Sequence, residues 1–195
     1  MAGHRVTLAE RRERKAAVDD PAVVLEAGAR FLEARARSVV EVRRRLTHAG
    51  YRTDLVDGAI VRLQELGMLD DEAFARLWVE ARDRARPRGE RAIRQELSLK
   101  GVDRSTIDLV LAERREAVAA RDDDHEGTEA APASADEAAA VRLIARQARA
   151  LNRVGDPRQR RQRAYALLAR NGFDPEVCRT VAATVAAEPD PAEPD

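Results

Sequence analysis

The chain has 195 residues, of which 44% are apolar, 36% charged and only 3% aromatic, and its 35 basic side chains are balanced by 35 acidic ones. That length suits one or two ordinary domains, and no run approaches the roughly 20 apolar residues of a membrane span. Cys178 is the single cysteine, which excludes an internal disulfide; without an apolar leader and cleavage site at the amino terminus, a reducing cytoplasm is expected.

Residues 1–20 include Arg11-Arg12-Glu13-Arg14-Lys15 and read as a flexible basic arm with nascent helix. Pro21 suits a first helical position, and Val24, Leu25, Phe31 and Leu32 recur at helical spacing, predicting a helix to about Ala36. Ser38 followed by Glu41 is a capping box, opening a helix that stops at Gly50. Thr53 is the next candidate cap, ahead of a stripe of Leu55, Val56, Ala59, Ile60, Leu63 and Leu66 that ends at Gly67. Residues 21–67 thus form a first three-helix repeat.

A second repeat is expected over residues 68–120. Asp70 caps a helix whose inward side is predicted to be Phe74, Leu77, Trp78, Ala81 and Ala85, broken by Pro87. Arg88-Gly89-Glu90 starts a short helix with Ala92, Ile93 and Leu97 inward, ending at Gly101. Asp103 caps a third, running through Ile107, Val110 and Leu111. Residues 121–136 have no apolar period and read as an acidic linker. A third repeat spans 137–187, with helices opened near Asp136, Asp156-Pro157 and Asp174-Pro175; the Pro- and acid-rich tail 188–195 should be disordered.

One signature ties the repeats together. Leu46 to Tyr51, Leu97 to Val102 and Leu168 to Phe173 each read Leu, three residues, Gly, then an apolar residue. A Gly that ends one helix, with an Asp or hydroxyl residue opening the next, is helix–turn–helix punctuation. Its recurrence means a tandem helical array, whose function lies on an extended surface. No segment shows period-two alternation, so no sheet is expected.

Neutrality conceals segregation. Residues 35–52 carry six Arg against one Glu; residues 82–100 carry six Arg and one Lys against three acids; residues 142–170 carry nine Arg against one Asp. The stretch 121–140 carries seven acids against one Arg. Arg suits bidentate contact with phosphate or carboxylate, so the candidate partner-binding residues are Arg37, Arg43, Arg44, Arg45, Arg82, Arg84, Arg86, Arg88, Arg91, Arg94 and Lys100. Arg158, Arg160, Arg161, Arg163 and Arg170 occupy the equivalent region of the third repeat. Pattern alone leaves DNA backbone and acidic protein both open as partners.

Little points to catalysis. There is no Gly-rich phosphate loop, and His4, His48 and His125 are isolated from one another. A flexible linker explains the Asp122–Glu126 cluster, and helix capping explains Asp70-Asp71. Cys178 and Trp78 read as core residues on apolar stripes. No enzymatic activity, cofactor or metal is expected.

The second repeat carries a resemblance. Leu69-Asp70-Asp71-Glu72-Ala73-Phe74-Ala75, Trp78-Val79, Arg82, Gly89, Ile93, Glu96-Leu97 and Lys100-Gly101 resemble the signature of the RecX regulatory proteins. Arg35-Ala36-Arg37-Ser38-Val39-Val40-Glu41-Val42-Arg43-Arg44-Arg45-Leu46 is similar to that family's opening block. The resemblance is specific from about residue 28 to 115 and mainly architectural from 137 to 187. It implies an all-α, elongated, curved array of three tandem three-helix repeats. It also implies a partner, the RecA recombinase polymerised on single-stranded DNA, whose ATPase and strand-exchange activity such proteins lower from within the filament groove, in DNA repair and recombination. Weak direct DNA binding and a monomeric state fit the same picture. The competing reading is a stand-alone helical DNA-binding module.

Overall fold

The computed structural model describes residues 7–122 and 134–187. Among them are ten helices and no strand: α1 Leu8–Ala16, α2 Pro21–Glu33, α3 Val39–Ala49, α4 Thr53–Glu65, α5 Asp71–Ala85, α6 Glu90–Leu99, α7 Arg104–Asp122, α8 Ala135–Asn152, α9 Pro157–Arg170 and α10 Pro175–Ala187. The all-α expectation holds, and α2–α4, α5–α7 and α8–α10 are the three sets of three helices. The expectations placed on His4, His125, the acidic stretch from 123 to 133 and the tail 188–195 fall outside the described residues.

The helices gather into two compact units. Of the described residues, one contains those up to Leu77 together with Ser98–Thr106, and the other contains Trp78–Leu97 and those from Ile107 onward. The boundary crosses α5, α6 and α7, so the middle set of helices contributes to both.

In the first unit, Val24, Val42, Leu46, Tyr51, Val56, Ala59, Ile60, Leu63 and Leu69 form one core. The turn between α3 and α4 shows why the Leu-x-x-x-Gly signature is there. Gly50 adopts a left-handed φ of 104°, its N–H donates to the Thr47 carbonyl, and the Tyr51 N–H reaches back to the Leu46 carbonyl. This is a Schellman turn, and its two outer residues, Leu46 and Tyr51, share the core. Gly101 and Gly172 repeat the left-handed conformation, each at φ 80°. The predicted basic arm contributes α1, closed by a Thr7–Glu10 capping box; the Lys15 ammonium hydrogen-bonds the Tyr51 hydroxyl.

In the second unit the α8–α10 helices enclose Ala139, Ala140, Leu168, Phe173, Cys178 and Val181, with Leu151, Ala164, Ala182 and Val185 beside them. Cys178 is buried there as expected, and burial pushes its thiol above the ordinary value.

The helix starts mostly follow the predicted caps. Ser38, Asp70, Asp103, Asp156 and Asp174 each accept a backbone N–H of the following helix. Thr53 does not. Arg52 occupies the cap position with no side-chain cap bond, and Thr53 is the first helical residue. The Arg52 guanidinium instead holds Asp19 and Asp54 at 2.7 and 2.6 Å. Helix α2 also ends earlier than expected, at Glu33.

The buried face of α5 differs from the prediction. Phe74 is buried, but its partners are Ala75 and Val79, and Leu77 is 54% exposed. Ala81 and Ala85 are exposed and Trp78 is half-buried. The largest apolar side chains had set the expected phase of the stripe, whereas the helix buries a narrower line of smaller ones.

Candidate partner-binding surface

Two equivalent junctions place the cationic side chains, one in each unit. In the first unit, the Val39 N–H at the start of α3 donates to the Asp71 carboxylate at 2.8 Å. The Ser38 hydroxyl donates to the Lys100 carbonyl at 2.6 Å, and Lys100 itself reaches Glu41 at 3.0 Å. A Cβ on Gly101 would collide with Val40. In the second unit, the Glu90 N–H at the start of α6 donates to both oxygens of Asp136, at 3.1 and 3.0 Å. The Gly89 N–H donates to the Asn171 carbonyl at 3.0 Å, and a Cβ on Gly172 would collide with Ala92. The register is the same 51 residues apart at Val39 and Glu90. Each middle helix therefore borrows its first acceptor from an Asp that begins a later helix.

The second junction is anchored by a residue that sequence reasoning missed. Arg114 has a side chain only 5% exposed. Its guanidinium grips Asp83 bidentately at 2.9 and 2.9 Å and reaches Asp136 at 2.6 Å. Burial opposes its charge, but the two carboxylates outweigh that and raise its pKa further. The available signal was an Arg in line with buried Ile107 and Leu111 on α7, a position where a long cation needs acids.

The eleven candidate cations divide sharply. Six hold partners within their own unit. Arg43 pairs with Asp57 and Arg94 with Asp108, at positions related by the same 51-residue offset. Arg82 binds Glu96 at 2.6 Å, Arg84 binds Glu80 at 2.8 Å, Arg88 donates to the Asn171 side chain at 2.7 Å, and Lys100 holds Glu41. The recurrence of Arg43 and Arg94 thus has an internal cause. Arg44, Arg86 and Arg91 are exposed and have no acidic partner among the described residues.

The last two share a ring. The Arg37 guanidinium lies 4.3 Å from the centre of Phe31 and that of Arg45 5.6 Å from it. Arg37 Nε is buried without a hydrogen-bond partner, and burial together with the nearby Arg35 lowers its pKa.

Trp78 is not a core residue. Its indole N–H donates to Glu96 at 2.8 Å, and the Arg82 guanidinium stacks 4.5 Å from the ring centre. Arg160, grouped by sequence with the exposed third-repeat cations, is 7% exposed and donates to the Val154 carbonyl at 3.1 Å. Among the described residues, no group of three or more His, Cys, Asp or Glu is placed to hold a metal, and no helix is long and apolar enough to cross a membrane.

Comparison with known proteins places this arrangement. Residues 70–111 match the family description "RecX, second three-helix domain" and residues 135–181 match "RecX, third three-helix domain". The Regulatory protein RecX of Mycobacterium avium is 32% identical over 160 residues, covering 82% of this chain and 83% of the relative. The chain belongs to the RecX family. The RecX of Mycobacterium ulcerans is 32% identical over 162 residues, covering 83% of this chain and 84% of its own. The crystal structure of RecX from Lactobacillus salivarius shares the fold with a TM-score of 0.68 at 18% identity, covering 87% of this chain and 99% of that one. A further RecX crystal structure gives 0.66 at 20% identity, over 94% of this chain and 81% of its own.

Proposed function

We propose that this RecX-family chain binds a RecA-class recombinase filament on single-stranded DNA and lowers its ATPase and strand-exchange activity. The observation that carries the reading is the match over most of the chain to proteins named Regulatory protein RecX. The surface supports it. Cations left without acids, namely Arg44, Arg86 and Arg91, and the Arg37–Phe31–Arg45 cluster lie on successive helix sets. A filament of recombinase and DNA offers anions at regular intervals, and several weak contacts on one chain add through effective concentration. The protein acts by binding, as a cytoplasmic monomer without turnover of its own.

The test is ATP hydrolysis by DNA-bound recombinase titrated with this protein at low and high salt. Inhibition near stoichiometric ratios that weakens with salt is expected. Unchanged turnover at excess protein would overturn the reading. Reversing Arg44, Arg86 and Arg91 to Glu should reduce inhibition more than neutralising Arg43 and Arg94, whose charges are already spent internally.

A further inference from the structure

The two junctions differ in one carboxylate. At the first, Glu41 holds Lys100 at 3.0 Å and stands 3.6 Å from Arg35. The 51-residue offset that relates Val39 to Glu90 carries Arg35, Arg37 and Glu41 to Arg86, Arg88 and Ala92, and the 71-residue offset from Gly101 to Gly172 carries Lys100 to Asn171. The second junction therefore keeps both guanidinia and lacks the equivalent acid. Beside it lies a cavity of about 230 Å³ lined by Arg86, Arg88, Arg146, Gln147 and Asn171, with an apolar part at Leu143. Its cations are held in place. Arg146 donates to the Arg84 carbonyl at 2.6 Å and to the Ala85 carbonyl, covering the last turn of α5, whose negative end would otherwise repel an anion. The Asn171 amide donates to the Leu167 carbonyl at 2.8 Å, which leaves its oxygen to accept from Arg88 at 2.7 Å. Among the described residues, the carboxylate paired with these three guanidinia is Glu96, 3.8 Å from Arg88 and already bound by Arg82 at 2.6 Å.

We propose that this cavity binds a small phosphate dianion, as free phosphate or a phosphate monoester, where the first junction uses its own glutamate. Three positive charges line the cavity against one shared negative charge, and the balance matches a dianion. Guanidinia suit phosphate oxygens because each offers paired N–H donors in a plane. A carboxylate or a phosphodiester brings a single charge and leaves a cation unanswered. The cavity is smaller than the roughly 300–1,000 Å³ sites of larger organic ligands, which limits the occupant to a phosphate with a short organic part. Gln147 and Leu143 stand ready for that part. The inference requires neither recombinase nor nucleic acid.

The experiment is isothermal titration of the full chain at low salt with inorganic phosphate, glycerol 3-phosphate and dimethyl phosphate. Saturable binding of the first two is expected, with dimethyl phosphate at least about tenfold weaker because one charge-assisted contact is lost. By the same measure Arg88→Gln and Arg146→Gln should each weaken binding about tenfold or more. Ala92→Glu, which restores the carboxylate of the first junction, should abolish it; the two Gln variants leave the packing of Ala92 on Gly172 untouched and carry the test if Glu is not tolerated there. Arg158→Gln/Arg161→Gln removes two exposed cations at the opposite end of α9 and should change nothing. Tighter binding of glycerol 3-phosphate than of inorganic phosphate would make the occupant a monoester, and equal binding would make it free phosphate. The proposal is overturned by absent saturable binding, by undiminished binding in folded Arg88→Gln, by an equal loss in the α9 control pair, or by dimethyl phosphate binding as well as phosphate.

Discussion

The Asp136 carboxylate on α8 accepts the backbone N–H of Glu90 on α6 and, with the same group, holds the guanidinium of Arg114 at 2.6 Å. One side chain thus caps a helix 46 residues upstream and half-neutralises a buried cation. Removing it leaves Arg114 buried beside Asp83 alone. Asp136→Ala should cost about 3–5 kcal/mol, the range for breaking a buried pair, and Asp136→Asn distinctly less because an acceptor remains. Urea unfolding monitored by circular dichroism checks this; equal costs for the two variants would mean that the retained acceptor contributes nothing and the loss is that of the charge alone.

Glu41 and Asp71 should give pH dependences of opposite sign. Burial disfavours the Glu41 carboxylate, yet the Lys100 and Ser38 bonds outweigh it and hold the pKa below the ordinary value. Its contribution is therefore present above the ordinary carboxylate pKa and is lost as pH falls through the folded value. For Asp71 burial dominates over the Val39 N–H, and the pKa is raised. Its contribution is full below the ordinary value and lost as pH rises through the raised one. Glu41→Gln should thus destabilise at about pH 7, and the loss should shrink by about pH 3 as the carboxylate takes up its proton. Asp71→Asn should be neutral to stabilising at about pH 7, with no advantage at about pH 3. Melting curves at both pH values decide.

The glycines offer a controlled comparison. Gly67 has a φ of 66° with open space where a Cβ would sit. Gly101 and Gly172 combine a left-handed φ with collisions against Val40 and Ala92. Gly67→Ala should cost about 1–2 kcal/mol for backbone strain alone, and the other two should each cost more. Thermal melts of the three variants giving equal losses would refute the close packing at both junctions.

Trp78 lends itself to two substitutions. Trp78→Phe removes the bond to Glu96 and should cost about 1–2 kcal/mol. Trp78→Ala should fall short of the roughly 3–5 kcal/mol typical of a core aromatic, because the ring is half-exposed. A larger loss in chemical denaturation would restore the core assignment.

Much of the helix plan was legible because capping and Schellman turns are local chemistry. Ser38 with Glu41, Asp156 before Pro157, and the left-handed glycines of the Leu-x-x-x-Gly turns, Gly50, Gly101 and Gly172, each declare themselves within six residues. Residue size misled the reading of α5, since Leu77 and Trp78 outweigh Ala75 in any apolar stripe yet the helix buries the smaller side chain. The charge pattern was visible but its use was not. Arg43 and Arg94 look like surface cations until the fold brings Asp57 and Asp108 beside them, 14 residues away in each case. Arg114 and Asp136 were silent for the same reason: the bond that matters spans 22 residues and an acidic stretch.

The borrowed caps at Val39 and Glu90 have an evolutionary corollary. A gene segment copied strictly as three helices would leave behind the aspartate that its middle helix relies on. The stretch that can be duplicated intact is shifted, running from the turn ahead of one middle helix to the opening of the next triplet. Boundaries of ancestral copying, and workable sites for splitting or shortening such chains, should follow that shifted frame instead of the visible helical triplets.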